Sequence, residues 1–174
     1  MSFSWKDKAE EGGTAASMPE GYHKVTCVKV QRSTKKVDDL RAKDGSPQVL
    51  TVWRNSMDQE AAVYFTLSEK AVGILASMLK YSGADLDKMD QAGVTLDRFA
   101  DESFAEKQLL NRQCWCWAEQ DGKYTNLSFV SEENAKAGMK NLQPVGGGSA
   151  TPDGYSGSGY QDNHQAVEDD DIPF

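Results

Sequence analysis

Five stretches of period-two alternation, three before a single helical repeat and two after it, constrain this chain more than any other feature. Alternation sends successive side chains to opposite faces, so each stretch is a half-buried strand. Tyr22–Gln31 is rich in Val and Thr and long enough to serve two edges of a small barrel. Gln48–Asn55 sets Leu50 and Val52 on one face and Thr51 and Trp53 on the other. Ala61–Leu67 groups Val63, Phe65 and Leu67 and leaves Tyr64 opposite. Ser68 can then cap a helix running to Ser82, in which Ala71, Val72, Ile74, Leu75, Met78 and Leu79 have helical spacing and Gly83 is the stop. Residues 84–110 hold short acidic amphipathic pieces of helical type. Arg112–Glu119 and Lys123–Val130 flank Gln120-Asp121-Gly122 and form a hairpin, because Asp-Gly is a strong turn signal.

Strand, strand, strand, helix, strand, strand is the element order of the OB-fold, a small barrel that commonly binds oligonucleotides. The expected fold is therefore mainly β: a five-stranded OB-fold barrel with a helix and a helical insertion between strands 3 and 4, plus a disordered acidic C-terminal tail. Residues 1–18 lack periodicity and read as a flexible N-terminal arm, with Trp5 either packed on the domain or stacked on a ligand. Residues 19–140 form the barrel domain, 141–167 a flexible Gly/Ser-rich tether, and 168–174 an acidic tip for protein interaction.

Parity assigns the faces. With Leu50, Val52, Val63, Phe65 and Leu67 filling the barrel, Trp53 and Tyr64 point outward. In the fourth strand, Cys114, Cys116 and Ala118 fit a narrow interior and Trp115 and Trp117 would overfill it. Leu127 and Phe129 go in, which sends Tyr124, Asn126 and Ser128 out. The expected outer set is Trp53, Tyr64, Trp115, Trp117 and Tyr124, and large exposed aromatics require a reason. The plainer reading packs the tryptophan pair beneath the 84–110 insertion.

A net charge of −8 would argue against nucleic acid if it were spread evenly. It is polarised instead. Residues 141–174 contain six acids and no Lys or Arg, whereas residues 21–54 contain Lys24, Lys29, Arg32, Lys35, Lys36, Arg41, Lys43 and Arg54 against Asp38, Asp39 and Asp44. Five of those cations fall in a stretch from Arg32 to Ser46 that reads as a mobile basic loop, and Arg112 adjoins the tryptophan pair. Aromatics for base stacking beside cations for phosphates are the chemistry of single-strand binding.

The last six residues, Asp169, Asp170, Asp171, Ile172, Pro173 and Phe174, join an acidic run to an apolar end that cannot fold on itself. A receptor for them needs an apolar pocket for Phe174 and basic residues for the acids. This ending resembles the acidic tip of bacterial single-stranded-DNA-binding proteins (SSB). Over about residues 19–132, the Pro19-Glu20-Gly21-Tyr22 entry, the helix after the third strand and the Tyr124-Thr125-Asn126 hairpin resemble SSB-like OB proteins encoded by bacteriophages. The resemblance implies sequence-independent binding of single-stranded DNA in replication, recombination and repair, with partner enzymes recruited through the tip. The 84–110 insertion departs from cellular SSB, so that family's tetramer is not carried over and a homo-oligomer stays open.

An enzyme is disfavoured. The chain has only two histidines, His23 and His164, and lacks a Gly-rich phosphate loop and a nucleophile elbow. Asp97, Asp101 and Glu102 have the spacing of a solvated helix face as much as of a nuclease site. Cys27, Cys114 and Cys116 lack zinc spacing and read as reduced apolar residues, so no metal and no cofactor is expected. A membrane span and a signal-peptide core are both missing from the pattern, which suggests the cytoplasm. The competing class is an OB-fold adaptor that binds protein or RNA and captures repair enzymes through the tip.

Overall fold

The structure is a computed structural model and describes residues 16–142. The arm up to residue 15, with Trp5, and everything from residue 143 onward, with the tip, lie outside the described residues. Five antiparallel strands form one sheet in the order β3-β2-β1-β4-β5: β1 (Gly21–Gln31), β2 (Gln48–Asn55), β3 (Glu60–Thr66), β4 (Gln113–Asp121) and β5 (Tyr124–Val130). The N-terminal half of β1 pairs with β4, from Gly21↔Ala118 to Thr26↔Gln113. Its C-terminal half pairs with β2, from Val25↔Asn55 to Gln31↔Leu50, with a bulge between Cys27 and Lys29. A strand that changes partner across a bulge must bend, and the bend curls the sheet. The edge strands β3 and β5 meet through side chains: Phe129 packs on Trp53 at 4.9 Å and on Phe65 at 5.9 Å between ring centroids. The result is a nearly closed five-stranded antiparallel barrel, compatible with the OB-like arrangement expected from the element order.

Helix α1 (Val72–Tyr81) follows β3 and buries Leu75, Met78 and Leu79. It starts later than expected, because Ser68 opens a backbone turn that holds the amides of Ala71 and Val72 and gives no side-chain cap. Gly83 ends it at φ +81°, where the amides of Gly83 and Ala84 return to the carbonyls of Lys80 and Leu79. The insertion contains α2 (Leu86–Gln91), a 3-10 turn (Leu96–Ala100) and α3 (Glu102–Leu109). Asp85 caps α2 and Asp101 caps α3. Phe99, Ala105 and Leu109 from this segment join the barrel core, so the insertion belongs to the domain's interior.

Three features depart from expectation. Met18 is fully buried and its carbonyl accepts from Gln120 Nε2 at 2.5 Å, so the domain begins inside the segment assigned to the arm. A fourth helix, α4 (Glu132–Leu142), packs on β4 and β1 in a stretch with no clear apolar stripe, where no helix was expected. The third is the parity of β2. Across the β2–β3 ladder Leu50 pairs with the exposed Tyr64, whereas Val49, Thr51 and Trp53 pair with Phe65, Val63 and Ala61. The barrel is filled by Val49, Thr51 and Trp53, and Leu50 and Val52 face outward.

Among the described residues no helix is long and apolar enough to cross a membrane.

Candidate nucleic-acid interface

Trp53 is the main correction to the expected site: it is 0% exposed, at the centre of the barrel. Its direct cross-strand neighbours are Cys27 on β1 and Ala61 on β3, both small, which leaves the volume an indole requires. Its Nε1–H donates to Thr51 Oγ1 at 2.8 Å, and the Thr51 hydroxyl donates to the Val63 carbonyl at 3.1 Å. With each polar atom partnered, burying Thr51 and Trp53 carries little desolvation penalty. Trp53 therefore has no face for a base.

The fourth strand follows its expected parity. Cys114, Cys116 and Ala118 are buried, and Trp115 and Trp117 point outward. Burial raises the Cys27 and Cys116 thiols to about 12 and pushes Cys114 higher still, so all three stay protonated. Both tryptophans are nonetheless partly buried, because α4 rather than the insertion lies over this face. Tyr22 stands edge-on to Trp117, with ring centroids 4.7 Å apart. The Trp115 Nε1–H is buried without a hydrogen-bond partner.

Two grooves gather expected site residues on the outer surface. The first, of about 540 Å³, lies along β1 and brings Lys24, Arg54 and Trp115 together with Asn55, Met57 and Met139. Lys24 and Trp115 are direct cross-strand partners, as are Thr26 and Arg54. Arg54 is held by Glu60 through Nε at 2.7 Å and Nη2 at 2.5 Å. The second groove, of about 750 Å³, runs between the Arg32–Ser46 loop and the β3–α1 junction. It brings Arg41, Lys43 and Tyr64 together with Lys70 and Ile74. Tyr64 is half exposed, and among the described residues Lys24, Lys43 and Lys70 are in no salt bridge.

Other expected residues fall elsewhere. Arg32 has a side chain only 12% exposed, and it ties the loop down by donating to the carbonyls of Ala100, Leu40 and Gln48 and to Asp39. Its amide donates to Glu102 at 2.6 Å. The loop expected to be mobile thus carries a hydrogen-bonded frame, with Leu40 buried at its centre. Arg41 reaches Asp39 at 2.7 Å and the Gly45 carbonyl at 2.9 Å. Arg112 bonds the Gln108 carbonyl and sits 3.5 Å from Ser82 Oγ, joining α3 to the end of α1, and its burial lowers its pKa. Lys29, Lys35 and Lys36 are exposed outside both grooves. Tyr124 is exposed at the hairpin tip under Lys123, apart from either groove.

Sequence reasoning missed Tyr22, Lys70 and Met139 as lining residues. Tyr22 was legible, since it shares outward parity with Lys24 and Thr26 on β1. Lys70 and Met139 had no signal, because each depends on where a helix lands. Among the described residues no group of three or more His, Cys, Asp or Glu side chains is placed to hold a metal ion. No known protein family model matches the chain, and no curated protein matches it.

Proposed function

We propose that the chain is an OB-fold protein that binds single-stranded DNA without sequence preference and recruits replication, recombination and repair enzymes through its Asp169–Phe174 tip. One observation carries this reading: an exposed aromatic, Tyr64, stands in an open groove with three cations, Arg41, Lys43 and Lys70, against one acid, Asp44. A base stacked on Tyr64 gains from any ring face, and the cations follow the phosphates on either side. The groove along β1, with Lys24, Arg54 and Trp115, extends the same chemistry across the outer surface. No side chain in either groove is assigned a catalytic role, and the protein acts in the cytoplasm of the cell that holds the DNA.

A titration with oligo-dT tests it. Saturable quenching of tryptophan emission, weakened by Tyr64→Ala and by Lys43→Glu, is expected. Absence of saturable binding at low salt would sink the reading.

The second reading, an adaptor that binds protein or RNA, is favoured by two facts: Trp53 is in the core, and the Trp115–Trp117 face is partly covered. Saturable binding of a structured RNA or a tip-dependent enzyme, with none of oligo-dT, is its expected result. Removing Phe174 alone separates the two ends of the protein. Capture of repair enzymes should be lost while oligo-dT affinity stays unchanged, because only the tip needs a shaped pocket.

A further inference from the structure

Helix α4 lies on the face that parity presents for stacking. Its inward side is built from Ala135, fully buried, followed by Gly138 and Met139 at helical spacing. A Cβ at Gly138 would overlap the Tyr22 ring, so the helix is pressed directly on the Tyr22–Trp117 pair. Small residues bring a helix close and give it little apolar area to hold on with. Ala135 is the one buried side chain of α4. Underneath, Met139 and Trp115 line the β1 groove together, and the Trp115 Nε1–H is left unsatisfied. A buried donor with no acceptor is an open cost of the covered state. The charges oppose each other in the same way. Glu132 is held below the usual carboxylate range chiefly by Lys136, at 2.6 Å, and Lys24 adds to the effect, so α4 places a carboxylate near the cation a phosphate would use.

We propose that the Tyr22–Trp115–Trp117 face is a second single-strand surface that α4 covers, and that strand and helix occupy it in alternation. This rests on the single-strand reading above. When α4 lifts, bases stack on the tryptophans, a phosphate replaces Glu132 near Lys24, and Trp115 gains an acceptor for its N–H. Weakly anchored elements are the ones that open locally.

Hydrogen exchange on the full chain, with and without saturating oligo-dT, tests this directly. Amides of residues 132–142 should lose protection on binding while those of β1 and β4 gain it. Binding with α4 equally or better protected overturns the alternation and leaves the functional reading standing. A second variant checks the mechanism from the other side. Gly138→Ala favours the helix itself but forces it off the Tyr22 ring. It should raise acrylamide quenching of tryptophan in the free protein and tighten oligo-dT binding by about three- to tenfold, as the competent fraction rises. Greater quenching with unchanged affinity counts against the cover. If neither wild type nor Gly138→Ala binds oligo-dT, the functional reading falls and the proposal falls with it.

Discussion

Two tryptophans flank β1 on its neighbouring strands, and they face opposite ways. Trp53 on β2 pairs with Cys27 and Ala61 and is enclosed, whereas Trp115 on β4 pairs with Lys24 and Val130 and stays outside. Each strand offered the interior two candidate sets, and side-chain size, which picks the right set on β4, would keep Trp53 out of the interior on β2. What decides is the volume left by the direct cross-strand partners, together with a polar partner for the indole. Inside, Thr51 supplies that partner. Outside, Trp115 Nε1 has none.

The sharpest way to break this comparison is to truncate both rings. Trp53→Ala should cost about 3–5 kcal/mol of folding stability, the usual range for removing a fully buried large aromatic. Urea unfolding would show it as a large drop in midpoint. A loss below about 1 kcal/mol would mean that the barrel does not close around Trp53.

The thiols mark the same boundary chemically. Cys27 and Cys116 have pKa values raised by burial to about 12, above the unfolded value near 9. Above pH 9 the unfolded chain releases protons that the folded chain keeps. Stability is therefore complete below about pH 9 and falls as pH rises toward 12, by about 1.4 kcal/mol per pH unit for each thiol in that window. Chemical denaturation between pH 8 and 11 measures it. A flat profile in the wild type would place the thiols in contact with water.

Trp115→Ala and Tyr64→Ala probe the outside. Each should weaken oligo-dT binding by about 1–3 kcal/mol. Exposed Tyr64 should change stability by no more than about 0.5 kcal/mol. Trp115 should cost more than that, because it is partly buried on the strand that α4 packs against. Paired titration and melting curves decide. A stability loss at Tyr64 with intact binding would turn the second groove into a structural one.

The strand count and order, the helix after β3 and the Asp-Gly hairpin were legible because each rests on local periodicity or turn chemistry, and the inward set of β4 because two tryptophans would overfill a narrow barrel. The facing of β2 was not. Leu50 and Val52 are the more apolar set, and a reading by hydrophobicity puts them inside. Leu50 is in fact buried on the outer side and apart from the main core, as is Leu40 of the neighbouring loop, so its apolar character is used there. Helix α4 was illegible for a related reason: Ala135 and Gly138 give no apolar stripe, and their value is close approach to Tyr22. In the candidate site, Tyr64, Lys43 and Lys24 were found by parity and charge. Arg32 and Arg112 were named for the same charge and bond backbone carbonyls instead, which composition cannot distinguish.

The smallest expected effect concerns the cations of the second groove. Lys43 and Lys70 line it without a salt-bridge partner among the described residues, whereas Lys35 and Lys36 project from a turn outside it. If phosphates run through the groove, each neutralised contact contributes about −0.7 to the slope of log K against log salt for a single strand. Lys43→Gln and Lys70→Gln should each flatten that slope by about this amount and weaken all sequences alike. Lys35→Gln and Lys36→Gln should change it less, because neither side chain lines the groove and exposed charges off the path are screened by salt. The reverse pattern, with the turn lysines carrying the slope, would move the phosphate path off Tyr64 and onto the outer edge of the loop.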